Sequence, residues 1–225
     1  MTTDAPTGDT LVIMAKAPRP GYVKTRLDQV LPRDAVVALY RCLIEDTIAL
    51  AQAAGAPRIA VVCPRGDADA LVRWLGIEVV AQEGDGLAAG LDSVFRLFFG
   101  RGCRRVIAFN GDTPHLAAAT LAGAFTLLET HDLVVGPTTD GGYYLIGATR
   151  PHRGLFEGSG MGTGSALRSL LARAHGLGLR VALTEEYYDV DDGEDLARLA
   201  ADLRAAPARA PRTAAWLAAR QQREK

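Results

Sequence analysis

The sequence predicts an α/β protein, a mostly parallel sheet covered by helices on both faces. Short apolar runs alternate with longer amphipathic stretches along the chain. Strands that alternate with helices favour parallel pairing, with the helices laid on the faces. The residues able to do chemistry gather where the apolar runs end, and parallel sheets bind ligands beyond the carboxyl ends of their strands.

The elements follow in order. Residues 10–15 read as a buried strand, and residues 33–54 as a helix with Val36, Leu39, Tyr40, Leu43 and Ile44 on one face. Residues 58–63 are a strand, 67–75 a short helix, 77–81 a third strand and 87–99 a helix ended by Gly100 and Gly102. Residues 105–109 form a strand that runs into Asn110-Gly111-Asp112-Thr113-Pro114, followed by a helix over 117–130. Residues 133–136 and 143–146 are strands around the turn at 138–142. A helix over 165–175, a strand over 180–183 and a helix over 194–204 complete the pattern, with a peripheral helix at 213–220. The expected organisation is one domain over 10–204, a disordered 1–9 and a partly helical tail over 205–225.

With 48% hydrophobic and 23% charged residues, the 225-residue chain has enough apolar material for a core. A net charge of −1 argues against a broad nucleic-acid surface, so no nucleic-acid partner is expected. Cys42, Cys63 and Cys103 show no metal spacing and read as reduced thiols of a cytoplasmic protein. No secretory leader and no membrane span are expected from the apolar pattern.

The first loop carries the strongest chemical signal. Only Lys16, Lys24 and Lys225 are lysine in a chain that otherwise uses arginine. Lys16, Arg19, Lys24 and Arg26 surround a turn stiffened by Pro18, Pro20 and Gly21. Four unpaired cations after a buried strand suit a di- or triphosphate, with lysine acting as a point charge. The plainer alternative is an exposed loop paired to acidic neighbours. Neither the Walker spacing nor Gly-x-Gly-x-x-Gly is present.

Asp112 follows the fourth strand. A carboxylate that faces phosphates commonly implies Mg2+ (or Mn2+) between them; the alternative is a cap for the helix after it. In Asp189-Val190-Asp191-Asp192 one aspartate could complete the metal site, while Asp191 or Asp192 could cap the last helix. The turn Thr139-Asp140-Gly141-Gly142-Tyr143 either lets a ligand approach the backbone or is a simple hairpin turn. Tyr143 and Tyr144 should face opposite sides of the sheet. Met161-Gly162-Thr163-Gly164-Ser165 reads as a loop that caps a helix or closes over substrate.

Together, Met-Ala-Lys-Ala-Pro-Arg-Pro-Gly-Tyr-Val-Lys-Thr-Arg-Leu, Gly-Asp-Thr-Pro, Gly-Pro-Thr-Thr-Asp-Gly-Gly-Tyr-Tyr-Leu-Ile-Gly and Asp-Val-Asp-Asp-Gly-Glu-Asp-Leu resemble one family. It is the radical-SAM/selenodomain-associated transferase family of the GT-A-type nucleotide-diphospho-sugar transferase superfamily. The resemblance runs from about Leu11 to Leu199. It implies a three-layer GT-A fold and a transferase that uses a nucleotide or nucleotide-sugar and a small-molecule acceptor. It places Lys16, Lys24 and Arg26 along the phosphates, Asp112 and Asp191 on the metal, and Asp140, Gly141 and Gly142 at the acceptor-side turn. Lys24, Asp112 and Asp140 are the candidate catalytic groups; Arg19 and Gly21 join the nucleotide side, and Tyr143 the acceptor side. Family members are generally described as glycosyltransferases, and the related 2-phospho-lactate guanylyltransferases share the architecture. The chain departs from the family at Asp85-Gly86-Leu87-Ala88-Ala89-Gly90-Leu91, where a Glu-Arg pair is missing and the run is closer to the guanylyltransferases. Glycosyl transfer is the expected reaction, with nucleotidyl transfer and a non-catalytic nucleotide-binding module as alternatives.

Overall fold

The computed structural model describes residues 8–158 and 164–223. Seven strands form one sheet: β1 (Asp9–Met14), β2 (Arg58–Cys63), β3 (Glu78–Ala81), β4 (Arg105–Asn110), β5 (Leu133–Pro137), β6 (Tyr143–Ala148) and β7 (Val181–Leu183). Their order is β3-β2-β1-β4-β6-β5-β7. All neighbours pair in parallel except at β6, which is antiparallel to both β4 and β5. The sheet is therefore mixed but mostly parallel, and the exception arises because a short turn, not a crossover helix, joins β5 to β6.

The helices are α1 (Arg33–Ala53), α2 (Ala68–Leu75), α3 (Gly86–Gly100), α4 (Ala118–Leu127), α5 (Ala166–Gly176), α6 (Gly193–Ala205) and α7 (Pro211–Arg223). Alternation along the strands divides the core. Leu11 and Ile13 of β1, with Ile107 and Phe109 of β4, pack against Tyr40, Ile44 and Ile48 of α1 and against Leu121 and Phe125 of α4. Val12, Val106 and Ala108 point the other way, onto Leu91, Val94 and Phe98 of α3 and Leu170 of α5. Successive residues of a strand face opposite sides, so these central strands are apolar throughout.

The helix over 33–54 departs from the one-face reading. Tyr40 and Ile44 face the sheet, whereas Val36, Leu39 and Leu43 form a third cluster with Leu199 and Leu203 of α6 and Leu217 of α7. An apolar stripe wider than one sheet contact lets α1 be covered on both sides. The helix expected at 213–220 spans Pro211–Arg223 and is packed instead of peripheral, with Thr213 fully buried. Asp46 of α1, 1% exposed, accepts hydrogen bonds from the backbone N–H groups of Arg212 (3.2 Å) and Thr213 (2.8 Å). A buried carboxylate thus caps the first turn of α7 and satisfies donors that have no partner within the helix.

β1 and β4 lie side by side at the sheet centre and end together, with Met14 opposite Asn110. The loops after them are therefore neighbours. Beyond β7 the chain stays extended: Tyr187 donates to the Pro137 carbonyl, and Thr139 donates to that of Tyr187. This segment returns residues 189–192 to the same end of the sheet. It carries no apolar run and was not expected as a strand-like element.

Candidate active site

Lys24 is the centre of the site. Its backbone is left-handed, at φ 47°, the one positive φ outside glycine among the described residues. A left-handed lysine is sterically unfavourable and persists when its surroundings hold it. Val23 and Leu27 are buried on either side, and a short 3-10 turn (Thr25–Gln29) begins directly after. This arrangement sends the Lys24 side chain inward, where it is only 7% exposed. Its ammonium donates to Asp112 Oδ2 and, at 2.8 Å, to Asp191 Oδ1. Burial alone would lower the Lys24 pKa, but the two carboxylates outweigh it and the ammonium is held charged well above its usual range.

The acidic side is built by two segments. Asp112 does not cap α4, whose N-cap position is Ala117. Its Oδ1 is buried without a hydrogen-bond partner among the described residues. Asp191 is also partly desolvated, yet Lys24 and then Arg26, at 3.6 Å, hold its pKa below the ordinary carboxylate value. Asp189 is pushed the opposite way, by burial first and then by the Asp112 charge. Asn110 at the end of β4 donates to Asp189 at 2.6 Å and accepts from the Thr113 hydroxyl at 2.6 Å. Asp192 forms the cap: its side chain accepts from the Glu194 and Asp195 backbone, and Asp195 reciprocates in a capping box. The cap reading of the acidic cluster thus holds for Asp192, while Asp191 faces Lys24.

The first loop is less free than four unpaired cations would be. Arg19 donates to Asp67 Oδ1 at 2.6 Å, and the other Asp67 oxygen accepts from the Ala17 N–H at 2.9 Å. Arg19 also lies over the Tyr22 ring, 4.2 Å from its centroid. Asp67 is 1% exposed and anchors the loop to the end of β2. Nothing in the sequence near residue 67 signals a contact across 48 positions. The Tyr40 hydroxyl accepts from the Lys16 backbone N–H at 3.0 Å, a second anchor that sequence reading missed. Lys16 and Arg26 are exposed, and Lys16 makes no ion pair with any described residue. Gly21 (φ 68°) forms the exposed turn between them.

The turn at 138–142 lies at the same end of the sheet. Asp140 accepts from the Thr138 hydroxyl (2.6 Å) and from the Gly142 N–H (2.9 Å), so its Oδ1 is used to shape its own turn. Gly141 has φ 84°, and a side chain there would overlap the Gly164 carbonyl. Its own carbonyl accepts from the Leu167 N–H at 3.0 Å, which docks the turn on the start of α5. Tyr144 packs inward and its hydroxyl meets Thr184. Tyr143 takes the opposite face, half-buried beside α3 and α5, as the alternation required. Of the loop expected at 161–165, Gly164 and Ser165 are described, with Ser165 at the N-cap position of α5; Met161, Gly162 and Thr163 lie outside the described residues.

Among the described residues, no group of three or more His, Cys, Asp or Glu side chains is arranged to hold a metal ion. Carboxylate oxygens are nevertheless gathered beyond β1 and β4. Asp112 and Asp191 hold one ammonium between them, and an orphaned Asp112 oxygen remains. Oxygen donors are what Mg2+ and Mn2+ prefer. Among the described residues no helix is long and apolar enough to cross a membrane.

The architecture, with cations and carboxylates meeting beyond β1 and β4, is that of the GT-A-type nucleotide-diphospho-sugar transferase superfamily. The chain belongs to the DUF2064 family, described as uncharacterised proteins conserved in bacteria, whose model matches residues 47–163. That match includes Asp112 and the 138–142 turn, but neither the first loop nor Asp191. A Desulfovibrio desulfuricans G20 protein provisionally described as a nucleotide-diphospho-sugar transferase is similar over 99% of this chain and 96% of its own, with 27% identity and a TM-score of 0.87. A nucleotidyl transferase from Methanothermobacter thermautotroptrophicus has the same fold at 17% identity, covering 89% of this chain and all (100%) of that one, with a TM-score of 0.58. A Mycobacterium tuberculosis H37Rv protein in complex with manganese matches at 21% identity, over 86% of this chain and 97% of its own, with a TM-score of 0.50. No curated protein matches the chain in sequence.

Proposed function

We propose that the protein is a divalent-metal-dependent transferase that uses a nucleotide-activated donor, passing a sugar from a nucleoside diphosphate sugar to a small-molecule acceptor. The observation that carries this reading is the Lys24 ammonium held between Asp112 and Asp191, with Lys16 and Arg26 exposed on the same loop. Such a site handles phosphate oxygens and a cation together. The near full-length likeness to the Desulfovibrio protein supports the sugar-nucleotide donor. The manganese complex of the Mycobacterium protein supports a divalent ion.

In this reading Lys16, Lys24 and Arg26 bind the diphosphate. Asp112 and Asp191 would hold Mg2+ or Mn2+, which offsets charge on the leaving phosphate oxygens. Arg19 acts at one remove, since its bond to Asp67 fixes the loop. Gly141, Gly142 and Tyr143 line the acceptor side, and Asp140 shapes that turn.

Nucleotidyl transfer is the second reading. Three cations on one loop suit a triphosphate, and the Methanothermobacter enzyme shares the fold. Thermal shifts against a panel of NTPs and NDP-sugars, with and without Mg2+, test both, because a ligand of the native state raises Tm by mass action. A metal-dependent shift with one NDP-sugar and release of free nucleoside diphosphate support glycosyl transfer. Pyrophosphate release replaces it with nucleotidyl transfer. A protein whose Tm responds to no nucleotide rules out both.

A further inference from the structure

We propose that Lys24 is an internal counter-ion which must leave Asp112 and Asp191 before a divalent cation can bind them, so that the free protein takes up metal poorly. The proposal rests on the reading above for its consequence, an ordered filling of the site.

The ammonium contacts Asp112 and Asp191 directly. A cation bound by the same pair must displace it or sit against it, and two like charges at such a distance repel strongly in a partly desolvated site. The lysine is not there by loose attraction. Its left-handed backbone and its 7% exposure show a side chain placed by the fold. Lys24 does not use every acceptor, since Asp112 Oδ1 is buried without a partner among the described residues. An oxygen donor for a divalent ion therefore remains while the lysine obstructs it.

A phosphate bound by the exposed Lys16 and Arg26 resolves this conflict. It offers the Lys24 ammonium a new anionic partner and frees the carboxylate oxygens for metal. Phosphate ligand and metal then bind with positive coupling, and coupling between two ligands is reciprocal. The same position explains why a lysine serves here. A flexible stem can carry a point charge from carboxylate to phosphate, which a guanidinium fixed in a forked pair does less readily.

The test is Mn2+ binding to the metal-free full-length chain without nucleotide, followed by the electron paramagnetic resonance signal of free Mn2+. Lys24→Met should bind Mn2+ roughly ten- to a hundredfold more tightly than the wild type, the span of ordinary site-to-site coupling. Adding Asp112→Asn to Lys24→Met should remove the gain. Equal affinity in wild type and Lys24→Met overturns the proposal. Because Lys24→Met leaves Asp112 without its partner and Asp191 with Arg26 alone, an arm on the wild type accompanies it. The three lysines are Lys16, Lys24 and Lys225, so acylation at each is resolved by mass spectrometry. Saturating Mn2+ should speed acylation of Lys24 severalfold and leave Lys16 unchanged. An unchanged Lys24 rate with Mn2+ bound also overturns the proposal. If it fails while nucleotides still raise the wild-type Tm, the transferase reading stands without the counter-ion. Lysine-gated Mn2+ binding in a protein that ignores every nucleotide keeps the counter-ion and removes the transferase.

Discussion

Asp112 and His115 lie three positions apart, and their surroundings set opposite tasks. Asp112 keeps one oxygen on Lys24 and one free. Asp112→Asn keeps the shape and removes the charge, while Lys24 retains Asp191. Turnover should fall by about a hundredfold or more, the scale of losing a preorganised charge at a phosphate-handling centre. Circular dichroism should stay native, and wild-type turnover in this variant would remove Asp112 from the mechanism. His115 is 2% exposed, tilted against the Tyr188 ring at 4.3 Å and near Tyr187, with neither ring nitrogen partnered among the described residues. Burial lowers its pKa to about 4. The unfolded chain takes up this proton near pH 6.5, and the folded one does not until about pH 4. Stability is therefore lost as pH falls through that window and is unaffected above it. Urea denaturation should show wild type losing about 2 kcal/mol more than His115→Phe between pH 7 and pH 5. Parallel curves for the two proteins would show that His115 is not held neutral.

At the scale of elements, the 138–142 turn joins the two antiparallel strand pairings to α5. Gly141→Ala forces a side chain into a left-handed position and against the Gly164 carbonyl. A loss of about 1–3 kcal/mol is expected in chemical denaturation, since both the strain and the overlap act on the folded state. A stability change within error would mean that the turn yields without cost. The elements themselves were readable because each strand is a short apolar run and each helix has its own apolar stripe. The candidate site was readable in part for a different reason: Lys24, Asp112 and Asp191 lie in segments that follow strand ends, where side chains have little to do for the core. The partners of these residues were not readable. The Asp67 anchor of Arg19 and the Asn110 contact with Asp189 depend on how distant segments meet, and no local pattern encodes that. The antiparallel β6 was legible in part, because Asp-Gly between strands signals a hairpin while the same glycine-rich turn fits a ligand loop.

In the whole molecule, α6 and α7 add a layer beyond α1. This explains why α1 is apolar on two sides and why residues of its stripe separate into two clusters. The layer is fastened by Asp46, whose carboxylate receives two backbone donors of α7. Asp46→Ala strands both donors in a buried place and should lower stability by about 1–2 kcal/mol, read as a fall in Tm. An unchanged Tm would show that α7 is held by its apolar contacts alone.

The contacts of Lys24 have a temporal consequence. Its two carboxylate partners are 88 and 167 positions away along the chain. Loop closure over such distances comes late, after local helices and neighbouring strand pairs have formed. No early folding intermediate that lacks the 189–192 segment can contain the complete site, however native its sheet. On the proposed reading, nucleotide capture is thus a property of the finished molecule, and in a refolding experiment it should emerge after the helical signal has recovered.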